Sequence, residues 1–303
     1  STFIHVKINS KIINLSNLEL RAAILSHGWY ALKPYRASTK PLSLLTAFDI
    51  PEGTGAFEIT YAKNKCKMNV IAGTINICAV VAEHCLSLDF DLCRISEIAK
   101  KNDKWTWVVE NHVGRFLRSP SLYEDCCKAI LSTNTTFQRT AVMTAQLVDK
   151  HGLKILNLRA FPSPKRLLRS TEGQLRSSIG CGYRARYLIN VAEAALDNPD
   201  LFLGFGYKNL TNEEFANRLY KIKGLGHVSV NYISMLYSKP NDFAVDSYVK
   251  RRIAELWGRP KVDNLDYLRR RYKRFGSYAP IIFWAELTKH WHNRDSDSSN
   301  TEW

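Results

Sequence analysis

Two short runs in the last third of the chain carry most of its structural information. They are Lys223-Gly224-Leu225-Gly226-His227-Val228-Ser229-Val230-Asn231-Tyr232 and Phe243-Ala244-Val245-Asp246-Ser247-Tyr248-Val249-Lys250-Arg251. Just upstream, Thr211-Asn212-Glu213-Glu214 has the form of a capping box, so a helix is expected from there through Ile222. Apolar helical period returns over Val228 to Tyr237, which gives helix, tight glycine turn, helix. Two glycines permit positive φ and close approach of the backbone to another molecule. The amides that open the second helix point outward as anion donors, a fit for phosphate. A purely structural corner between two helices would use the same residues. Asp246 falls in the expected first turn of a basic helix, where aspartate is also an ordinary N-cap.

Working outward, the helical period holds from Asp89 to the end of the body, punctuated at Ser119-Pro120, Gly152, Pro162-Ser163-Pro164, Gly204-Phe205-Gly206 and Pro240. Before it, β-branched and alternating stretches at Phe3 to Asn14, Ala56 to Ala62 and Lys67 to Val81 predict a small antiparallel sheet. One helix, Asn17 to Ser26, is expected on that sheet, stopped by Gly28. The fold class is therefore α+β. It comprises an N-terminal antiparallel domain over 1–90, an all-helical body over 91–292 in two lobes, and a polar tail over 293–303.

Lys and Arg number 43 against 28 Asp and Glu, a formal charge of +15, which favours a polyanionic partner such as nucleic acid, although excess charge also serves solubility. No apolar run approaches the roughly 20 residues needed to cross a bilayer, and Ser1 to Asn9 lacks the regions of a secretory signal, so a cytoplasmic protein is expected. The seven cysteines are scattered without C-x-x-C spacing and read as small buried hydrophobes, so no metal site is expected. His27, His112 and His151 are isolated and read as surface or satisfied core residues.

Together, K-G-L-G-H-V-S-V-N-Y and V-D-S-Y-V-K-R resemble the helix-hairpin-helix, Gly/Pro, Asp motif of the HhH-GPD DNA glycosylase superfamily. The usual proline before the first glycine is Lys223 here, which gives up some turn rigidity and keeps both glycines. Upstream, Arg118 to Asp125, Ile130 to Thr136 and Gly182-Tyr183-Arg184-Ala185-Arg186-Tyr187 are similar to the 8-oxoguanine and 3-methyladenine branch. The likeness spans residues 115 to 290, and the N-terminal sheet resembles that branch's accessory domain.

The resemblance implies an enzyme that extrudes a nucleotide from duplex DNA and cuts the base from its sugar. Asp246 would be the catalytic carboxylate, stabilising positive charge on the sugar and orienting or deprotonating water. Gly224, Gly226, His227, Ser229, Lys250 and Arg251 would hold DNA. Arg252, Arg269, Arg270, Arg271, Lys273 and Arg274 would supply further phosphate-neutralising charge or merely solvated faces. Asn134 would plug the stack, Tyr183 wedge beside the orphaned base, and Arg139 and Arg184 reach its edge. Bifunctional relatives carry a lysine two positions past the second hairpin glycine. Val228 stands there, so simple hydrolysis without strand cleavage is expected.

Val228, Tyr232, Phe283 and Trp284 would line the base pocket by the same resemblance, with core packing the competing role for Phe283 and Trp284. Val228 replaces an indole found in alkyl-purine enzymes, and Phe283 stands near a glutamine of 8-oxoguanine enzymes. Three functions follow: a repair glycosylase for damaged purines, an antiviral glycosylase for a bulky modified base such as glucosylated hydroxymethylcytosine in phage DNA, or a non-catalytic hairpin module that binds DNA. Base-modified double-stranded DNA is the expected partner, a monomer the expected state, and no cofactor is expected beyond a monovalent cation that family analogy admits on the hairpin carbonyls.

Overall fold

The computed structural model describes residues 9–101, 103–258 and 265–292. An antiparallel sheet opens the chain: β1 (Ser10–Ile13), β2 (Arg36–Thr39), β3 (Leu42–Ile50), β4 (Gly53–Ala62) and β5 (Lys65–Ala72), in the order β1-β5-β4-β3-β2. Register runs from Ser43 opposite Thr60 to Ile50 opposite Gly53 across the β3–β4 hairpin. Helices α1 (Asn17–Ile24) and α2 (Ile75–Cys85) pack on this sheet. Ser16 and Glu19 form a capping box that starts α1, and Thr74 caps α2 by accepting from the Ile77 amide.

The body then runs α3 (Leu92–Ala99), α4 (Thr106–Glu110), α5 (Leu122–Leu131), α6 (Phe137–His151), α7 (Pro164–Leu167), α8 (Glu172–Ile179), α9 (Arg184–Asp197) and α10 (Pro199–Phe202). It closes with α11 (Asn212–Tyr220), α12 (His227–Leu236), α13 (Ser247–Trp257), α14 (Leu265–Tyr272) and α15 (Ala279–His292). Every residue of α5 is buried, and α6, α9, α10 and α12 pack around it. One apolar core runs from Ile13 to Leu287, so sheet and helical body share an interior.

The two cations buried at this junction, Arg118 and Lys128, are paired, as desolvation requires. Arg118 is wholly buried and donates to Asp89 (2.8 Å), the Leu236 carbonyl (2.8 Å) and Ser238 (3.1 Å). Lys128 pairs with Glu124 at 2.7 Å, and burial pushes that carboxyl up to about 7 despite the lysine.

The α+β architecture matches the sequence expectation, with local differences. Lys67 to Val81 is not one strand. Gly73 adopts φ +87 and Thr74 begins a helix, so the run divides between β5 and α2. Strands β2 and β3 were not expected, and the body carries a small hairpin, β6 (Lys154–Ile155) with β7 (Leu158–Arg159), against the sheet. Helix α1 ends at Ile24 with Leu25 as its cap. Gly28 does not stop it but opens a 3-10 turn over Gly28–Ala31. Helix α11 stops at Tyr220, short of Ile222. Six of the seven cysteines are buried and Cys93 is exposed. Among the described residues no helix is long and apolar enough to cross a membrane. The start of the first expected strand, residues 3–8, and the polar tail, 293–303, lie outside the described residues.

Candidate active site and nucleic-acid interface

Helix α11 begins with the expected capping box, in which Thr211 and Glu214 each accept the other's backbone N–H. The chain then turns through Gly224 at φ +116. A Cβ there would lie 2.5 Å from Cγ of Tyr187, so the turn presses its backbone onto α9. Asn190 of α9 fixes the same turn by donating to the Lys223 carbonyl at 2.9 Å.

Gly226 is built differently. It is the N-cap of α12 in extended conformation, with no side-chain cap and nothing within 4 Å of a built Cβ. The first amides of α12 therefore open onto free space, the arrangement that receives a phosphate oxygen. His227 is exposed beside them, stacked on Tyr220 with ring centroids 6.2 Å apart, and its Nδ1 shares a hydrogen bond of 2.9 Å with the Tyr220 hydroxyl. Ser229, expected at the DNA surface, is buried at 8% exposure because the third position of α12 turns into the core.

Asp246 is the N-cap of α13 and accepts the Val249 amide at 2.8 Å. Solvent reaches the side chain although protein surrounds most of it. Burial pushes the carboxyl above the ordinary aspartate range, and the amides of Val249 and Tyr248 and the nearby Arg251 charge oppose that rise. Beside it lies an aromatic cluster in which Tyr232 packs edge-on to Trp284 (5.5 Å) and Tyr248 stacks on Trp291 (6.2 Å). The indole N–H of Trp284 donates to the Ser26 carbonyl at 2.9 Å. Two residues of this cluster, His27 and Trp29, come from the N-terminal region. His27 is a satisfied core histidine, as expected of the isolated ones, but nothing in the sequence pattern points to its place beside the site. Its ring and that of Trp29 lie 5.7 and 5.4 Å from Tyr232.

Residues 127–276 match the model of the HhH-GPD superfamily base excision DNA repair proteins. The chain belongs to this superfamily. The 3-methyladenine DNA glycosylase of Archaeoglobus fulgidus shares its fold at a TM-score of 0.69 and 18% identity, over 94% of this chain and 99% of that one. The apo 8-oxoguanine glycosylase/lyase of Clostridium acetobutylicum aligns at 0.68 and 20% identity, over 93% and 96%. The latter enzyme in complex with DNA containing cytosine opposite 8-oxoguanine aligns at 0.65 and 18%, over 93% and 98%. No curated protein matches the chain in sequence.

A second group of residues adjoins the HhH-GPD hairpin. Asn134 follows α5, adopts φ +47 and is exposed. Its side-chain amide donates to the Tyr183 hydroxyl at 3.4 Å, and Tyr183 is 48% exposed. That ring meets Tyr187 edge-on at 5.8 Å, and Tyr187 underlies Gly224, so the expected plug, wedge and hairpin are linked by contact. Arg139 is exposed and donates to the Gly180 carbonyl at 2.9 Å.

Several sequence expectations are corrected here. Arg184, expected at the edge of the orphaned base, is engaged by protein carbonyls. It is 8% exposed, and its guanidinium donates to the carbonyls of Thr133 (3.2 Å), Asn134 (3.3 Å) and Cys181 (3.4 Å), bracing the loop that presents Asn134. Phe283 lies in the core, 2% exposed and edge-on to Phe243 and Tyr272, so its ring faces protein rather than a cleft. Arg252 is committed to the Leu287 carbonyl, Glu255 and His290. Arg271 is committed to Glu286, and Arg269 to Asp242 and Asp266. Lys250, Arg251, Arg270, Lys273 and Arg274 are exposed, as is Val228 at 37%. Among the described residues no cluster of His, Cys, Asp and Glu could hold a metal ion.

Proposed function

We propose that this DNA glycosylase of the HhH-GPD superfamily flips a damaged or modified base out of duplex DNA and hydrolyses its N-glycosidic bond, leaving an abasic site. The observation that carries the reading is Asp246: a carboxylate fixed by the Val249 amide, reachable by solvent and set near Tyr232 and Tyr248 of the aromatic cluster. As the bond from C1′ to the base breaks, its electron pair leaves with the base and positive charge grows on the sugar. A carboxylate close to that charge stabilises it and accepts a proton from the water that adds to C1′. Mere DNA binding needs neither a carboxylate held at this point nor the Asn134 and Tyr183 pair.

Valine at 228 has no amine to form an imine, and Lys223 precedes the hairpin rather than standing two positions past its second glycine. The reading is therefore monofunctional hydrolysis. The small, exposed Val228 in place of an indole favours a bulky modified base, which keeps glucosylated hydroxymethylcytosine among the substrates to test beside damaged purines.

The test is incubation of the protein, alongside Asp246→Asn, with duplexes carrying 8-oxoguanine, alkylated purines, uracil or glucosylated hydroxymethylcytosine. Abasic sites are counted before and after alkali, and borohydride is added to trap any imine. Base release by the parent protein alone, with breaks only after alkali and no trapped adduct, is the expected result. Breaks without alkali together with a trapped adduct would sink the lysine-free mechanism.

A further inference from the structure

His27 belongs to the N-terminal region, yet its ring is wholly buried and reaches Tyr232, which lies near the proposed catalytic carboxylate. Nε2 lies 2.6 Å from the Leu117 carbonyl oxygen, and Nδ1 lies 2.8 Å from the Tyr232 hydroxyl. A carbonyl only accepts, so Nε2 carries the ring hydrogen. In a neutral imidazole Nδ1 is then bare, and the hydrogen on the second bond must come from the tyrosine. The segment is held rigidly, since Ser26 accepts from the Trp284 indole and Trp29 donates to the buried Asp125 carboxylate at 2.5 Å. The hydrogen-bonded pair is part-buried while His27 itself is fully covered, so its remaining open side is that of Tyr232.

We infer that His27 is a positioning residue of the base pocket: it fixes the Tyr232 hydroxyl as a donor to its own Nδ1, leaving the tyrosine oxygen an acceptor only towards a bound base. The inference rests on the reading above that Tyr232 lines that pocket. It assigns a class of ligand, a base whose edge presents an N–H, such as an exocyclic amine, rather than a carbonyl. Neutrality of the ring fits its surroundings, since burial chiefly, with the Lys128 charge adding to it, lowers the His27 pKa to about 3. Burial likewise keeps the Tyr232 phenol protonated.

Two measurements test this without requiring base release. Ring-nitrogen NMR of the free protein reports the tautomer. A protonated Nε2 with an unprotonated, hydrogen-bonded Nδ1 is expected, and a protonated Nδ1 at neutral pH overturns the assignment. Binding is then measured to the protein saturated with a tetrahydrofuran abasic duplex, using free adenine against purine and cytosine against 2-pyrimidinone, pairs that differ by one amine. In at least one pair the amine-bearing base is expected to bind about five- to tenfold tighter, the span of one hydrogen bond. That preference should vanish alike in His27→Phe, Tyr232→Phe and the double variant, because both residues act through one bond. Absence of a preference in both pairs, or its survival in a folded His27→Phe, sinks the proposal. If either variant fails to melt cooperatively, the tautomer measurement and the wild-type preference still decide. Loss of glycosylase activity against every duplex alongside an intact amine preference would sink the hydrolysis reading and leave this one standing.

Discussion

Gly224 rests directly on the ring of Tyr187, so close that a Cβ on the glycine would meet Cγ of the tyrosine at 2.5 Å. The first glycine of the hairpin is therefore there for packing within the protein, and its φ of +116 adds a conformational demand that L side chains meet poorly. The second glycine, Gly226, meets nothing within 4 Å. Gly224→Ala should destabilise the fold by about 1–3 kcal/mol, through overpacking and positive φ. Gly226→Ala should change stability by less than about 1 kcal/mol, the cost of an altered N-cap, yet weaken DNA binding by crowding the amides of α12. Denaturant melts and binding to a tetrahydrofuran duplex measure both. Equal loss of stability in the two variants would refute the division of labour.

Asp246 serves two purposes that a pair of substitutions separates. Asparagine caps a helix about as well as aspartate, so Asp246→Asn should melt within about 0.5 kcal/mol of the parent, whereas Asp246→Ala should lose about 1 kcal/mol. Both should lower base release by roughly 10²–10⁴-fold, the usual contribution of a positioned acid or base. The carboxyl is raised above the ordinary aspartate range by burial, so the active carboxylate is lost at higher pH than a free aspartate would be. Single-turnover rates should fall with acid along a limb that begins above that range. A limb at the ordinary value would place the essential group elsewhere.

How much of this was legible in the sequence follows from how local each signal is. The capping box at Thr211, the glycine pair and Asp246 sit within one run of residues whose types dictate their own geometry, and they appear where the sequence put them. Strand β3 escaped because Thr46, Ala47 and Phe48 are buried in succession, which erases the alternation that marks a strand. Lys67 to Val81 merged a strand with a helix because both are apolar and only Gly73-Thr74 marks the boundary. His27 was invisible as a site residue because its partner lies 205 positions away. The contacts of Arg184 are not legible either, since residue type cannot tell a guanidinium that reads a base from one that braces a loop.

That brace gives a prediction of its own. Arg184→Ala would strip donors from the carbonyls of Thr133, Asn134 and Cys181, and should cost about 1–3 kcal/mol along with the ordered presentation of Asn134. Arg184→Lys should recover little, because one ammonium cannot reproduce a planar fork to three oxygens. Arg139→Ala, at an exposed residue whose guanidinium bonds the Gly180 carbonyl, should leave stability within about 0.5 kcal/mol. Thermal melts with hydrogen exchange at residues 133 and 134 compare the three. Unchanged exchange in Arg184→Ala would remove the bracing role.

His84 makes the sharpest pH prediction. It is buried against Phe205, Tyr207 and Tyr237, and burial first, then the Arg118 charge, lowers its pKa to about 3 against the usual 6.5. Between those values the unfolded chain binds a proton that the folded chain refuses, so the folded state loses stability as pH falls below 6.5. The loss is about 1.4 kcal/mol per pH unit, or about 2 kcal/mol by pH 5. His84→Phe removes that liability while keeping a ring among the aromatics. Whatever the substitution costs at pH 8, the difference from the parent should shrink steadily below pH 6.5, and urea melts at pH 8, 6.5 and 5 would measure it. His27 and the buried carboxylates titrate in both proteins and cancel from the difference. A gap that stays constant with pH would mean that the His84 ring takes up its proton in the folded state as readily as in the unfolded one.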